Sequence, residues 1–122
     1  MSEQTSKEIR STVTSEGAIE ISIVTVEKPT PSENEVLIKV EASPINPSDL
    51  GLLISFAANL DSLSVSGSGD HTVAKMKIHE GLMKVMTPRM GQSMKVGNEG
   101  GGVIEDAGSN AKELIGKTVG VA

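Results

Sequence analysis

In the run Ile19-Glu20-Ile21-Ser22-Ile23-Val24-Thr25-Val26, isoleucines recur at every second position and most of the remaining residues are β-branched. A period of two gathers Ile19, Ile21 and Ile23 on one face of a strand, whereas a helix would scatter them around its axis. The same signal returns in Val36-Leu37-Ile38-Lys39-Val40 and, more weakly, in the parity of Ile9 and Val13. Between the stronger strands, Lys28-Pro29-Thr30-Pro31-Ser32-Glu33-Asn34-Glu35 carries two prolines, so it reads as a loop. The last third returns to strand character in Gly100-Gly101-Gly102-Val103-Ile104-Glu105-Asp106-Ala107-Gly108 and in Thr118-Val119-Gly120-Val121-Ala122, with a turn at Ser109-Asn110. The chain is therefore expected to be mainly β with minor α.

The α part is expected after Ser43-Pro44-Ile45-Asn46-Pro47-Ser48-Asp49, a stretch that ends a strand and prepares a helix start. Leu50-Gly51-Leu52-Leu53-Ile54-Ser55-Phe56-Ala57-Ala58 reads as a short apolar helix capped by Ser48 or Asp49. Residues 59–95 combine a Ser/Gly-rich stretch with Met76, Met83, Met86, Met90 and Met94, and read as a mobile insertion whose methionines cover an edge of the core. The final strand breaks off in Val119-Gly120-Val121-Ala122 without a polar tail, which reads as the end of a truncated domain.

Length and charge narrow the partners. A chain of 122 residues is expected to form one domain and to bury about two-thirds of its unfolded surface without staples. Eleven Lys and Arg against sixteen Asp and Glu leave a formal charge of -5, and Phe56 is the lone aromatic residue. Both facts argue against nucleic acid as a partner, which needs basic footprints and stacking surfaces. No cysteine is present, so disulfides, thiolate zinc sites and cysteine nucleophiles are excluded. The segment Met1-Ser2-Glu3-Gln4-Thr5-Ser6-Lys7-Glu8 has no apolar run of the signal-peptide kind, and the longest largely apolar run, Leu50 to Leu60, is too short to span a bilayer. A soluble, cytoplasmic protein without membrane contact is the expectation.

Common catalytic motifs fail at specific positions. Gly116-Lys117-Thr118 has Ala111 where a phosphate-binding loop requires glycine, and Gly100-Gly101-Gly102 lacks the spacing of a dinucleotide fingerprint. His79-Glu80 has Met83 where a zinc protease needs its second histidine, and His71 beside Asp70 reads as a solvated loop residue. A metal site is not expected.

Two separated segments carry a more specific pattern: Val40-Glu41-Ala42-Ser43-Pro44-Ile45-Asn46-Pro47-Ser48-Asp49 and Val96-Gly97-Asn98-Glu99-Gly100-Gly101-Gly102-Val103-Ile104-Glu105-Asp106-Ala107-Gly108. Together with Asn34-Glu35-Val36-Leu37-Ile38-Lys39-Val40 upstream and Gly116-Lys117-Thr118-Val119-Gly120-Val121 downstream, they resemble the catalytic domain of the medium-chain dehydrogenase/reductase superfamily. The similarity is greatest to its zinc-independent quinone oxidoreductase and 2-enoyl thioester reductase branches, and covers most of the chain outside residues 50–95.

The resemblance implies a GroES-like, partly open β-barrel over residues 1–122, which in the family packs against a Rossmann domain that this chain lacks. It implies NADPH or NADH as cofactor, held mainly by that other domain, and a small-molecule substrate, either a quinone or an enoyl thioester. Zinc-containing relatives place cysteine and histidine ligands where this chain has Asn46 and Asn98, and amides bind zinc poorly, so no zinc is expected. Asn46 and Ser48 are carried over as catalytic, substrate-facing groups that orient the acceptor and stabilise charge on its oxygen. Asp49, Asn98 and Glu99 are assigned to substrate contact or to structure, Asp49 as a helix cap and Glu99 as a brace for its turn. The glycines at 97 and 100–102 are expected to serve a bent sheet corner through positive φ and close strand approach. The enoyl thioester branch has a catalytic tyrosine after the first motif, and this chain has no tyrosine. A stand-alone GroES-like interaction module is the alternative, and self-association through a cut sheet edge is expected in either case.

Overall fold

A computed structural model describes residues 4–54 and 58–122. Ser55, Phe56 and Ala57, the end of the expected apolar helix, lie outside the described residues, as do the first three residues. The protein is mainly β, with two antiparallel sheets, neither of them closed into a barrel. It divides into two compact units, one formed by residues up to Val26 and Asn46–Val96, the other by Glu27–Ile45 and Gly97–Ala122.

The first unit is built on a sheet of five strands. These are β1 (Thr5–Val13), β2 (Ala18–Glu27), β4 (Ala58–Ser66), β5 (Val73–Ile78) and β6 (Ser93–Lys95), in the order β4-β5-β2-β1-β6. A tight turn follows β1: Thr14 N–H donates to the Ala18 carbonyl (2.8 Å), and Thr14 Oγ1 accepts from Ala18 N–H (3.2 Å). The period-two pattern of the isoleucines is realised in the register of β2 with β5, where Ile19 faces Met76 and Ile21 faces Ala74. On the opposite face Glu20 lies across from Lys75 and pairs with it at 3.3 Å.

Val13, Ile19, Ile78 and Met86 form the core of this unit, with Ile21, Ala58 and Met83 packed against it. Successive single turns, Glu80–Leu82, α2 (Met83–Met86) and Thr87–Arg89, lead the chain from β5 to β6. Residues 59–95 are thus no mobile insertion. They supply three of the five strands, and Met76 and Met86 are core residues rather than an edge covering. The polar, glycine-bearing stretch concealed β4, because Ser62 Oγ takes a ladder position that a backbone carbonyl would normally fill. It accepts Lys77 N–H (2.7 Å) and donates to the Asn59 carbonyl (2.6 Å).

The second unit is a three-stranded sheet in the order β3 (Val36–Ala42), β7 (Gly100–Ala107), β8 (Thr118–Val121). Register shifts in the β3–β7 ladder leave Glu105 and Glu41 as extra residues, and bulges of this kind bend and twist a strand pair. Ile104, Ala107 and Ala111 are the buried apolar residues here. The proline-bearing loop is fastened to the turn after β7: Gly108 N–H donates to the Glu35 carbonyl and Asn110 N–H to the Glu33 carbonyl, both at 2.9 Å. Within the loop, Ser32 N–H donates to Glu35 Oε2 (2.9 Å), and this bond, aided by the Ser32 hydroxyl, holds the Glu35 carboxyl below the ordinary glutamate range.

Candidate functional site

Asn46, Ser48 and Asp49 sit at the start of α1 (Pro47–Leu53), in the first unit. The helix begins earlier than the apolar pattern suggests, with Asn46 as N-cap in an extended conformation and Pro47 at the first helical position. Proline fits there because its fixed φ suits the helix and its missing N–H leaves nothing unsatisfied. Neither Ser48 nor Asp49 is the N-cap residue. Asp49 serves the helix start from its third position, with Oδ2 accepting the Asn46 N–H at 2.7 Å, and it is buried to 3% exposure. Asn46 is half-buried and Ser48 exposed. The three residues therefore share one turn, with a buried acid under it and a hydroxyl at its surface.

Asn98 and Glu99 belong to the second unit, in the exposed segment that leads into β7. Ser43, at the end of β3, donates its hydroxyl proton to the Glu99 carbonyl at 2.8 Å. That bond ties the first motif to the second, next to the β3–β7 ladder in which Ala42 faces Gly101. An open groove of about 660 Å³ lies here, with walls from Ala42, Pro44 and Val121 and with Ser43 and Glu99 as its polar groups. This volume falls within the range of small-molecule sites. Chemically, the groove offers an apolar wall, a hydroxyl and an exposed carboxylate.

Two of the glycines in this segment have separate reasons. Gly97 has φ +104°, a conformation that side chains resist. Gly102 has an ordinary φ, but a Cβ there would fall on the Lys39 backbone carbonyl across the ladder. Close strand approach, rather than positive φ, thus accounts for Gly102, the last residue of the triple glycine run.

The sequence-derived candidates therefore divide between the units: Asn46, Ser48 and Asp49 in one, Asn98 and Glu99 in the other. Sequence reasoning missed Ser43 and Val121 as groove residues, although Ser43 lies inside the first motif. It also missed the buried Ser11, whose hydroxyl donates to the Leu52 carbonyl near the end of α1 and accepts from Arg89 Nη2 at 3.2 Å. A serine on an otherwise alternating strand gives little warning of such a role. Among the described residues no three His, Asp or Glu side chains converge as a metal site requires, and no helix is long and apolar enough to cross a membrane. Comparison with models of protein families and with curated proteins gives no match for this chain.

Proposed function

We propose that this chain is the substrate-side domain, GroES-like in fold, of a zinc-independent NAD(P)H-dependent oxidoreductase that reduces a quinone or the activated double bond of an enoyl thioester. The observation that supports this best is the meeting of the two motifs in the second unit, through the β3–β7 ladder and the bond from Ser43 to the Glu99 carbonyl. The residues do not fit the cofactor's pyrophosphate. Gly100-Gly101-Gly102 lies inside β7 instead of opening a helix, so no N-terminal amides point at a phosphate. The nicotinamide is accordingly assigned to another domain.

The part left to this chain is to orient the acceptor and to stabilise negative charge on its oxygen. The Asn46 amide and the Ser48 hydroxyl are the donors assigned to that oxygen, and buried Asp49 fixes the turn that presents them. The protein as its gene encodes it is expected to oxidise NADPH or NADH with a quinone or a short enoyl thioester in the presence of EDTA. Asn46→Ala is expected to lower kcat by about a hundredfold, the scale of a lost oxyanion donor. Absence of turnover with both acceptors would overturn the assignment.

A second reading, an interaction module without catalysis, is favoured by β8. This edge strand pairs with β7 alone among the described strands, and Val121 on it is 41% exposed. An edge of this kind is open to pairing with a second chain. Self-association that strengthens with concentration is expected in sedimentation velocity, and a clean monomer at high concentration would remove the support for this reading.

A further inference from the structure

Six cationic side chains, Lys7, Arg10, Lys28, Lys75, Lys95 and Lys112, each have a carboxylate partner. Lys39, Lys77, Lys84 and Lys117 have none among the described residues, but all four are exposed and hydrated. Arg89 differs from both groups, being half-buried without any acid beside it. Among the described residues its one hydrogen bond is Nη2 donating to Ser11 Oγ, and its Nε is shut away from solvent with no acceptor. Burial draws the guanidinium below the ordinary arginine value, and no nearby carboxylate offsets this, although arginine stays charged at neutral pH. An orphaned, shielded donor on a charged group is costly and calls for an explanation.

The surroundings indicate what the guanidinium's other N–H groups would bind. Ser11 is fully buried and gives its proton to the Leu52 carbonyl, so its lone pair fixes the guanidinium from one side. Strand register and chain position place three open apolar residues around Ser11 and Arg89. Ile9, two residues along the same face of β1, is 47% exposed; Met94, directly across from Ser11 on β6, is 39% exposed; Met90, next to Arg89, is 36% exposed. A guanidinium bordered by apolar surface favours an anionic oxygen group, since the low local dielectric strengthens the pair. We propose that Arg89, held by Ser11 and bordered by Ile9, Met90 and Met94, binds the oxyanion of an amphiphilic ligand, an anionic oxygen group carried on an apolar body. The site lies wholly in the first unit and does not depend on the oxidoreductase assignment.

The test is an NMR titration of the nitrogen-15-labelled chain with octanoate, acetate, inorganic phosphate and chloride at constant ionic strength. The Arg89 Nε–H, shielded from exchange with water, serves as reporter, together with the backbone amides of Ser11 and Met94. The expected result is a saturable shift with octanoate at lower concentration than with acetate or phosphate, and none with chloride. R89Q is expected to abolish the response at Ser11 and Met94 while leaving the remaining amide spectrum dispersed. R89K, which keeps the charge without the planar fork, is expected to weaken it. A response shared by chloride, a response surviving in R89Q, or acetate acting as strongly as octanoate would overturn the proposal.

Discussion

Gly102→Ala is expected to lower the urea midpoint of unfolding sharply, by the equivalent of about 3 kcal/mol. The added methyl has nowhere to go. It would fall on the Lys39 carbonyl, a backbone atom held in the β3–β7 ladder, and no rotamer change can relieve a backbone clash. Bulges at Glu41 and Glu105 flank this point and fix how closely the two strands run. Gly120→Ala is the control, because a Cβ at Gly120 meets nothing within 4 Å. It is expected to change stability by less than about 0.5 kcal/mol. Equal midpoints for the two variants would show that β3 and β7 do not approach as closely as described.

Ile19→Ala is expected to cost about 3 kcal/mol, within the range for truncating a buried isoleucine. Ile19 is fully buried, faces Met76 across the β2–β5 ladder and packs with Val13, Ile78 and Met86. The adaptable side chain of Met86 can enter part of the cavity, which holds the loss below the upper end of that range. Ile45, by contrast, is 76% exposed, and Ile45→Ala is expected to be near neutral in the same denaturation experiment. A midpoint for Ile19→Ala indistinguishable from that of Ile45→Ala would mean that the core does not lie where the isoleucine alternation puts it.

That alternation is also where the sequence was most legible. β2 (Ala18–Glu27), β3 (Val36–Ala42), β7 (Gly100–Ala107) and β8 (Thr118–Val121) follow the expected runs to within one or two residues, since a period of two allows no competing helix. β1 was harder to see, because Lys7 breaks the Ile9–Val13 parity and the other face carries Glu8 and Arg10, which pair with each other along the strand while Glu8 also pairs with Lys95 on β6. β4 and β5 were read as part of an insertion. In β5, Lys75 and Lys77 flank Met76, and methionine carries little strand preference of its own; its burial came from pairing with β2, which is a tertiary effect. The start of α1 was visible in Pro47 but assigned to the wrong cap, since Asn, Ser and Asp all lie within four residues of one another. Of the candidate site, the first motif marked where a helix starts but not which residue caps it. The Ser43–Glu99 bond was not legible, because 56 residues separate its partners.

Between Asn59 and Ser64 on β4 the partner strand advances only from Lys77 to Lys75, so four residues, Leu60 to Leu63, face Met76 alone. Asn59, Asp61 and Ser62 close this protrusion with their own hydrogen bonds. A passing strand that copied the outer edge of β4 would lose step with it after two residues on one side of the protrusion and three on the other. The edge that carries exposed Leu60, Leu63 and Val65 is therefore a poor seed for fibrillar stacking, and its greasy residues are displayed without offering a template for runaway growth.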